Sequence, residues 1–396
     1  MEINREDKLL INILRKDGAS AGSTDFISLT KLEWNSVIRQ SIRHSVSALL
    51  YRRLKKLSSE APIPDVVLKR LHEEYLQSVA RNIRLYHELS KRLKILADDN
   101  IQVIVLKGAH LGEIVYGNIG LRTMGDVDLL VRKEDLARAQ KRLMEAGYSP
   151  ADEQFAIDFH WNIDLTIANL DLDTKEMWER AQPTAISGVN VLALSPEDLL
   201  LHLCTHLAFH HNFGFAGLRA LCDVRETINH YHDQIDWGEI QQRAAKWGAG
   251  NSVYLTLSLA REVLGVQVPN GFIAALKPEG SDSRAREWAL ERMFGKASNM
   301  LPGSPYFWQL FMPMPLREKA ATFLRLIVPP REFISQKYPT YFGSRKNYLY
   351  YLVRFMEKSL RYGKIIWGAI VRDQEILSVI RQEKRDIAMR EWLLSG

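Results

Sequence analysis

The chain has 396 residues, 25% of them charged and 46% hydrophobic, with a formal net charge of +6. This is the composition of an ordinary soluble globular protein, long enough to bury a large core and to hold two or three domains. Its mild basicity fits an anionic partner without choosing among nucleotide, nucleic acid and lipid.

No apolar stretch reaches the roughly 18 residues that a membrane span needs, and Met1–Lys8 is charged rather than leader-like. Contact with a membrane surface stays open. Cys204 and Cys222 lie in apolar helical contexts and read as reduced core residues. Together these predict a cytoplasmic protein.

Residues 7 to 98 read as helices. An apolar stripe (Val37, Ile38, Ile42, Val46, Leu49, Leu50) predicts one helix over Trp34–Leu57, ended by Pro62 and Pro64. Val66–Asp98 reads as a single long helix whose Arg and Lys form a solvated face. Ile101–Leu106 then reads as a strand. Lys107-Gly108-Ala109 makes a turn, and His110–Tyr116 starts a helix. A strand, a small-residue turn and a helix start can cradle phosphate, because free backbone N–H groups point at the anion.

Asp126-Val127-Asp128-Leu129-Leu130-Val131 is the stretch that departs most from a bland reading. Leu129, Leu130 and Val131 predict a buried strand. Acids are depleted from strands, and a buried carboxylate is costly unless paired. At i and i+2 the two acids share a strand face. Like charges that close repel unless a cation sits between them. Oxygen ligands suit Mg²⁺, so the pair predicts a divalent metal at the mouth of a small sheet.

Glu134–Ala146 reads as an amphipathic helix stopped by Gly147. Phe155–Leu165 reads as a strand with Asp158, His160, Asn162 and Asp164 on one face. Val189–Leu194 reads as a later strand or edge. Ser195-Pro196-Glu197-Asp198 has the cap, first-turn proline and acids of a helix start. From there the chain reads helical to about 300. Residues 301–315 are rich in Pro and aromatics and form a loop or boundary, and 316–396 are helical, broken at Pro329-Pro330 and Pro339. There is no internal repeat.

Leu106-Lys107-Gly108-Ala109, then Leu121-Arg122-Thr123-Met124-Gly125-Asp126-Val127-Asp128-Leu129-Leu130-Val131, then a third acidic strand residue, resembles the nucleotidyltransferase superfamily of DNA polymerase β. The closer resemblance is to a poorly characterised bacterial branch. The specific match covers about 103–161, with weaker likeness over 195–223. Gly108-Ala109 departs from the usual Gly-Ser or Gly-Gly turn and so lacks a hydroxyl that could touch phosphate.

The resemblance implies an α+β fold: a small mixed-sheet core flanked by N-terminal helices and a large helical C-terminal region. The divisions would be 1–98 (N-terminal helices), 99–195 (nucleotidyltransferase core), 196–300 (helices completing the cleft) and 301–396 (basic, aromatic helices). It also implies Mg²⁺-dependent transfer of NMP from an NTP to an acceptor hydroxyl or phosphate, with release of pyrophosphate. Asp126 and Asp128 would hold one or two Mg²⁺. Asp158, in Ile157-Asp158-Phe159, would be the third ligand and help deprotonate the acceptor. Asp164, in Ile163-Asp164-Leu165, has the same local form and is the alternative. Lys107, Gly108, Ala109 and Arg122 would contact the nucleotide. Because the branch often sits in exopolysaccharide or peptide-natural-product gene clusters, a small-molecule, peptide or glycan acceptor is favoured over tRNA. A degenerate binding or assembly module and a tRNA-modifying toxin are the alternatives.

Other features weigh toward structure. His202, His206 and His210 recur along one helix face beside His211, a spacing that permits zinc. No His-Glu-x-x-His pattern accompanies them, so they read as partly buried histidines near the cleft. Arg345, Lys346, Arg354, Lys358, Arg361 and Lys364 lie among Tyr and Phe residues, a mixture able to bind nucleic acid or a membrane surface. Leu349, Leu352, Val353, Met356 and Leu360 trace an apolar stripe there, so the plainer reading is a helical bundle.

Overall fold

The computed structural model describes residues 3–15, 29–59, 62–148, 157–161, 174–214, 217–278, 282–295, 315, 317–319 and 371–395. The chain forms two compact units, Met1–Gly295 with Trp392–Gly396, and Lys296–Glu391. In the second unit the described residues are chiefly helical, within Gln374–Leu393. Asp164 lies outside the described residues, as do the Pro- and aromatic-rich segment 301–314 and the basic aromatic stretch 338–367. The expected α+β class holds: helices predominate around a five-stranded mixed sheet.

Four helices precede the sheet: α1 (Arg5–Leu14), α2 (Lys31–Arg43), α3 (Ser47–Leu57) and α4 (Asp65–Asp98). Thr30 and Glu33 form a capping box at the start of α2, each satisfying the other's backbone N–H. The single helix expected over 34–57 is broken. Ser45 takes a left-handed conformation, φ 55°, which turns the chain between α2 and α3. Local periodicity is the same on both sides of such a break, so the apolar stripe does not reveal it.

The strands are β1 (Val103–Val105), β2 (Val127–Val131), β3 (Ile157–His160), β4 (Gln182–Ile186) and β5 (Val189–Ala193). Their order is β3-β2-β1-β5-β4. β2 runs antiparallel to β1 and parallel to β3, while β5 runs parallel to β1 and antiparallel to β4. β4 had no clear signal, since Gln182, Pro183 and Thr184 do not read as a strand. It is an edge strand, where a proline's missing N–H leaves no ladder bond unmade.

Alternation along β2 sorts its side chains. Val127, Leu129 and Val131 enter the core with Leu85, Leu89, Leu93 and Leu96 of α4 and with Ala139 and Leu143 of α6 (Leu136–Glu145). Ile157 and Phe159 of β3 pack against that same cluster. Asp128 and Asp158 have the opposite parity and face the other side of the sheet. Burying a Val or Leu contributes about 1.5–3 kcal/mol each, so the apolar set fixes which face the acids occupy. A one-residue slip would bury the carboxylates among α4 leucines.

β1 leads directly into α5 (Lys107–His110), which continues as a π turn over Leu111–Val115. The helix therefore begins at Lys107, where the sequence suggested a turn, and Gly108 and Ala109 belong to its first turn. Gly108 sits against the loop before β2: a Cβ there would lie 3.2 Å from Arg122 Nη1 and 3.4 Å from Met124 Sδ. At Gly120 a Cβ would collide with Val79 and Tyr75 of α4. Asn82 of α4 ties the same loop down by donating to the carbonyls of Ile119 and Arg122.

Helices α7 (Thr174–Arg180), α8 (Pro196–Thr205), α9 (Gly217–Tyr231), α10 (Trp237–Lys246), α11 (Gly250–Leu264), α12 (Asn270–Leu276) and α13 (Asp282–Phe294) complete the first unit. The predicted start of α8 is met: Ser195 Oγ accepts from the Asp198 N–H at 3.2 Å and Pro196 occupies the first turn. Among the described residues no helix is long and apolar enough to cross a membrane.

Candidate active site

Parallel pairing sets Asp128 directly beside Asp158 in register. Asp126 precedes β2 by one residue and reaches the same place. Ligand oxygens of the three carboxylates all lie within 4.8 Å of one another, and no other His, Cys, Asp or Glu group among the described residues is so disposed. Asp126 and Asp158 are exposed, whereas Asp128 is 7% exposed.

All three donors are carboxylate oxygens, the hard ligands that Mg²⁺ takes at about 2.1 Å. Three such oxygens within 4.8 Å of one another fit a divalent metal.

Asp128 is held from two sides. Lys107 Nζ lies 3.1 Å from Oδ2, and His160 Nε2 lies 3.0 Å from Oδ1. Burial alone would raise the Asp128 carboxyl. The His160 hydrogen bond and the Lys107 ammonium outweigh it and hold the group well below the usual carboxylate range. His160 follows Asp158 at i+2 on β3, which places its ring on the acid face. Its hydrogen bond to Asp128 raises its own pKa against the opposing effect of burial.

Lys107 has a second partner. Its Nζ lies 2.7 Å from His206 Nε2. An ammonium only donates, so His206 accepts and its proton sits on Nδ1. His206 opens the π turn His206–His210 that continues α8. The expected histidine stripe therefore does reach the cleft. The His206 and His210 rings stack at 4.5 Å, and His211 meets His206 edge-on at 4.6 Å. Burial leads in lowering His202 to about 3 and His211 to about 4, and it drives His206 lower still. These imidazoles are neutral at physiological pH.

Arg122 is buried, and Asp223 of α9 grips it. Nε donates to Oδ1 at 3.0 Å and Nη2 to Oδ2 at 3.0 Å. Tyr116 Oη donates to Asp223 Oδ1 at 2.9 Å. The remaining guanidinium nitrogen, Nη1, lies beside Gly108. Tyr86 Oη donates to the Ala109 carbonyl at 2.6 Å, fixing the first turn of α5 from α4. Lys107, Gly108, Ala109 and Arg122 thus form one neighbourhood beside the three acids. Cys204 and Cys222 are buried in α8 and α9, and burial pushes the Cys222 thiol up to about 12, which suits inert core thiols.

A family model described as uncharacterised nucleotidyltransferase matches residues 30–265. The chain belongs to this family. Comparison with curated proteins and with solved structures gives no match. The family's span takes in α2 to α11 and so includes the three acids, Lys107, the histidine turn and Asp223.

Sequence reasoning missed Asp223 and gave His206 no role. A signal existed. Asp223 stands in Leu218-Arg219-Ala220-Leu221-Cys222-Asp223-Val224, a carboxylate inside an apolar helix stretch, and a buried acid needs a cation to pair with.

Proposed function

We propose that this protein transfers a nucleoside monophosphate from an NTP to an acceptor hydroxyl or phosphate and releases pyrophosphate. The observation that carries the reading is the convergence of Asp126, just before β2, with Asp128 and Asp158 on adjacent strands within a chain of this family. When bound at these carboxylates, one or two Mg²⁺ would neutralise the phosphate oxygens and align the triphosphate.

The chain's own residues do the rest. Asp158, exposed at the rim, receives the acceptor's proton as its oxygen bonds to the α-phosphorus. The bond from that phosphorus to the bridging oxygen breaks, and the electron pair leaves with pyrophosphate. Lys107, which pairs with Asp128 at the edge of the acid cluster, would lend its positive charge to the phosphates. Gly108 and Ala109, in the first turn of α5, would offer backbone N–H groups of that helix start to the phosphate chain. Arg122 adds fixed positive charge, oriented by Asp223. The acceptor is a small molecule, peptide or glycan, and the setting is cytoplasmic.

The direct test measures pyrophosphate release from each of the four common NTPs, with Mg²⁺ and with EDTA, against panels of sugars, phosphosugars, peptides and tRNA. Magnesium-dependent release with label transferred to an acceptor is the expected result. If no NTP binds and none is turned over in the presence of Mg²⁺, the chain is a binding module instead.

A further inference from the structure

Lys107 has two acceptors, and one of them is not a carboxylate. Its Nζ lies 3.1 Å from Asp128 Oδ2 and 2.7 Å from His206 Nε2. Among the described residues it is the one lysine or arginine paired with any of the three acids. The ion pair with Asp128 already balances the Lys107 charge. A neutral imidazole adds no charge, and an ammonium whose side chain is 15% exposed could give its remaining protons to water. The His206 contact therefore does something that charge balance does not.

The place of His206 is imposed by its surroundings. It opens the π turn His206–His210, in which the His211 N–H donates to the His206 carbonyl at 3.1 Å. Such turns are rare and recur at functional sites. Asn212 and Phe213 follow with φ 46° and 54°, a conformation that non-glycine residues keep only where packing enforces it. Phe213 is buried and meets Trp288 edge-on at 5.7 Å, which supplies that packing. The His206 ring is stacked on His210 at 4.5 Å. Lys107 arrives from a separate element, as the first residue of α5 directly after β1.

A divalent ion at Asp126, Asp128 and Asp158 would meet the Lys107 ammonium beside Asp128, the most buried of its ligands. Like charges that close repel, so ammonium and ion compete for that carboxylate. Both Lys107 contacts exist at once, so Lys107 can release Asp128 and keep His206 without leaving the site. We infer that Lys107 is a built-in competitor of the metal ion and that His206 is the positioning residue that lets it yield, so that the pair sets the metal affinity of the three acids. The inference rests on the metal reading of those carboxylates and deepens it. Before an ion binds, Lys107 spares the buried Asp128 an uncompensated charge. Afterwards His206 keeps the ammonium at the edge of the cluster.

The test titrates the full chain with Mn²⁺ alone, without nucleotide, and follows the loss of the free-ion EPR signal. Binding that disappears in Asp126→Asn is assigned to the acids. Lys107→Met should tighten it by about tenfold, because the like charge beside the ligand oxygen is gone. His206→Phe keeps a ring in the stack and loses the acceptor. With no change in charge, it should weaken binding by about tenfold, the low end of what losing an outer-shell partner of a metal costs. His206→Gln, whose amide oxygen accepts, should recover part of that loss. In the double variant of Lys107→Met with His206→Phe the His206 effect should vanish, since it acts only through Lys107. Thermal melts check folding, and if His206→Phe does not fold, His206→Leu takes its place. A folded His206→Phe with wild-type affinity overturns the inference. So does an equal loss with and without Lys107, or a Lys107→Met that binds more weakly than wild type. In each of these cases a wild type that binds Mn²⁺ at the acids keeps the metal reading. Mn²⁺ binding in neither wild type nor Lys107→Met, or binding that survives Asp126→Asn, sinks the metal reading and the inference with it.

Discussion

Two carboxylates within this unit, Asp128 and Asp223, are both buried and both paired with cations, and they are built for different ends. Asp223 is held by a guanidinium through two parallel hydrogen bonds and by a tyrosine hydroxyl. Asp128 is held by an ammonium at one oxygen and an imidazole at the other. A guanidinium fork has fixed geometry, and releasing it breaks two bonds together. Lysine is a point charge on a flexible stem and gives way one contact at a time. The Lys107 ammonium also has His206 waiting at 2.7 Å, so it can leave Asp128 and keep a partner. The Arg122–Asp223 pair therefore works as a latch between the loop before β2 and α9, and the Lys107–Asp128 pair as a stand-in that a metal can replace.

The sharpest way to break this comparison is to remove the negative charge at the exchangeable site. Asp128→Asn and Asp126→Asn should each reduce transfer by more than the 10–100-fold that losing an outer-shell partner of a metal typically costs, roughly two orders of magnitude or beyond. They should differ in stability. Asp126 is exposed, and its replacement should leave the melting temperature nearly unchanged. Asp128 is 7% exposed and balances Lys107 and His160, so its replacement should lower the melt as well. A single-turnover assay beside calorimetric melts separates the two effects. If Asp128→Asn keeps near wild-type turnover with Mg²⁺, the carboxylate cluster is not the metal centre.

At the latch the order reverses, with stability failing first. Asp223→Ala leaves Arg122 buried without its counter-charge, which costs about 3–5 kcal/mol. Urea unfolding would register it as a shift in midpoint at constant slope. If the loss stays below about 1 kcal/mol, the pair is no latch, and the contrast with Asp128 collapses.

The sequence makes the two sites unequally visible. Asp126-x-Asp128 stands out because acids at strand spacing interrupt an apolar run, and β2 places them as that spacing requires. Asp158 is legible for the same reason, and parallel register with Asp128 brings it home. The latch is a contact between positions 101 residues apart, and no local pattern encodes such a pairing. Arg122 could be assigned only to phosphate from its place beside the motif, whereas the fold commits two of its nitrogens to Asp223. The break at Ser45 and the strand at β4 were hidden for a related reason. Each is decided by what packs against it, with local propensity neutral or contrary.

The smallest effect concerns a second tie between the α5 side and α9. His110 is buried, and its Nε2 lies 3.0 Å from Tyr231 Oη. Burial, helped by the nearby His230, depresses its pKa to about 4. An unfolded histidine titrates near 6.5, so the unfolded chain takes up a proton that folded His110 refuses. The neutral ring's contribution is thus fully present above about pH 6.5. It is lost progressively as pH falls toward 4, up to about 3 kcal/mol for this one group. His110→Gln keeps a polar partner for Tyr231 and removes the titration. Denaturant unfolding at several pH values between 4 and 7 should show stability falling by about one proton's slope less in the variant than in wild type. His202, His206 and His211 remain in both and set the common background. Parallel pH profiles for the two proteins would mean that His110 protonates freely within the fold, and that the Arg122–Asp223 latch holds α9 without help from this buried imidazole.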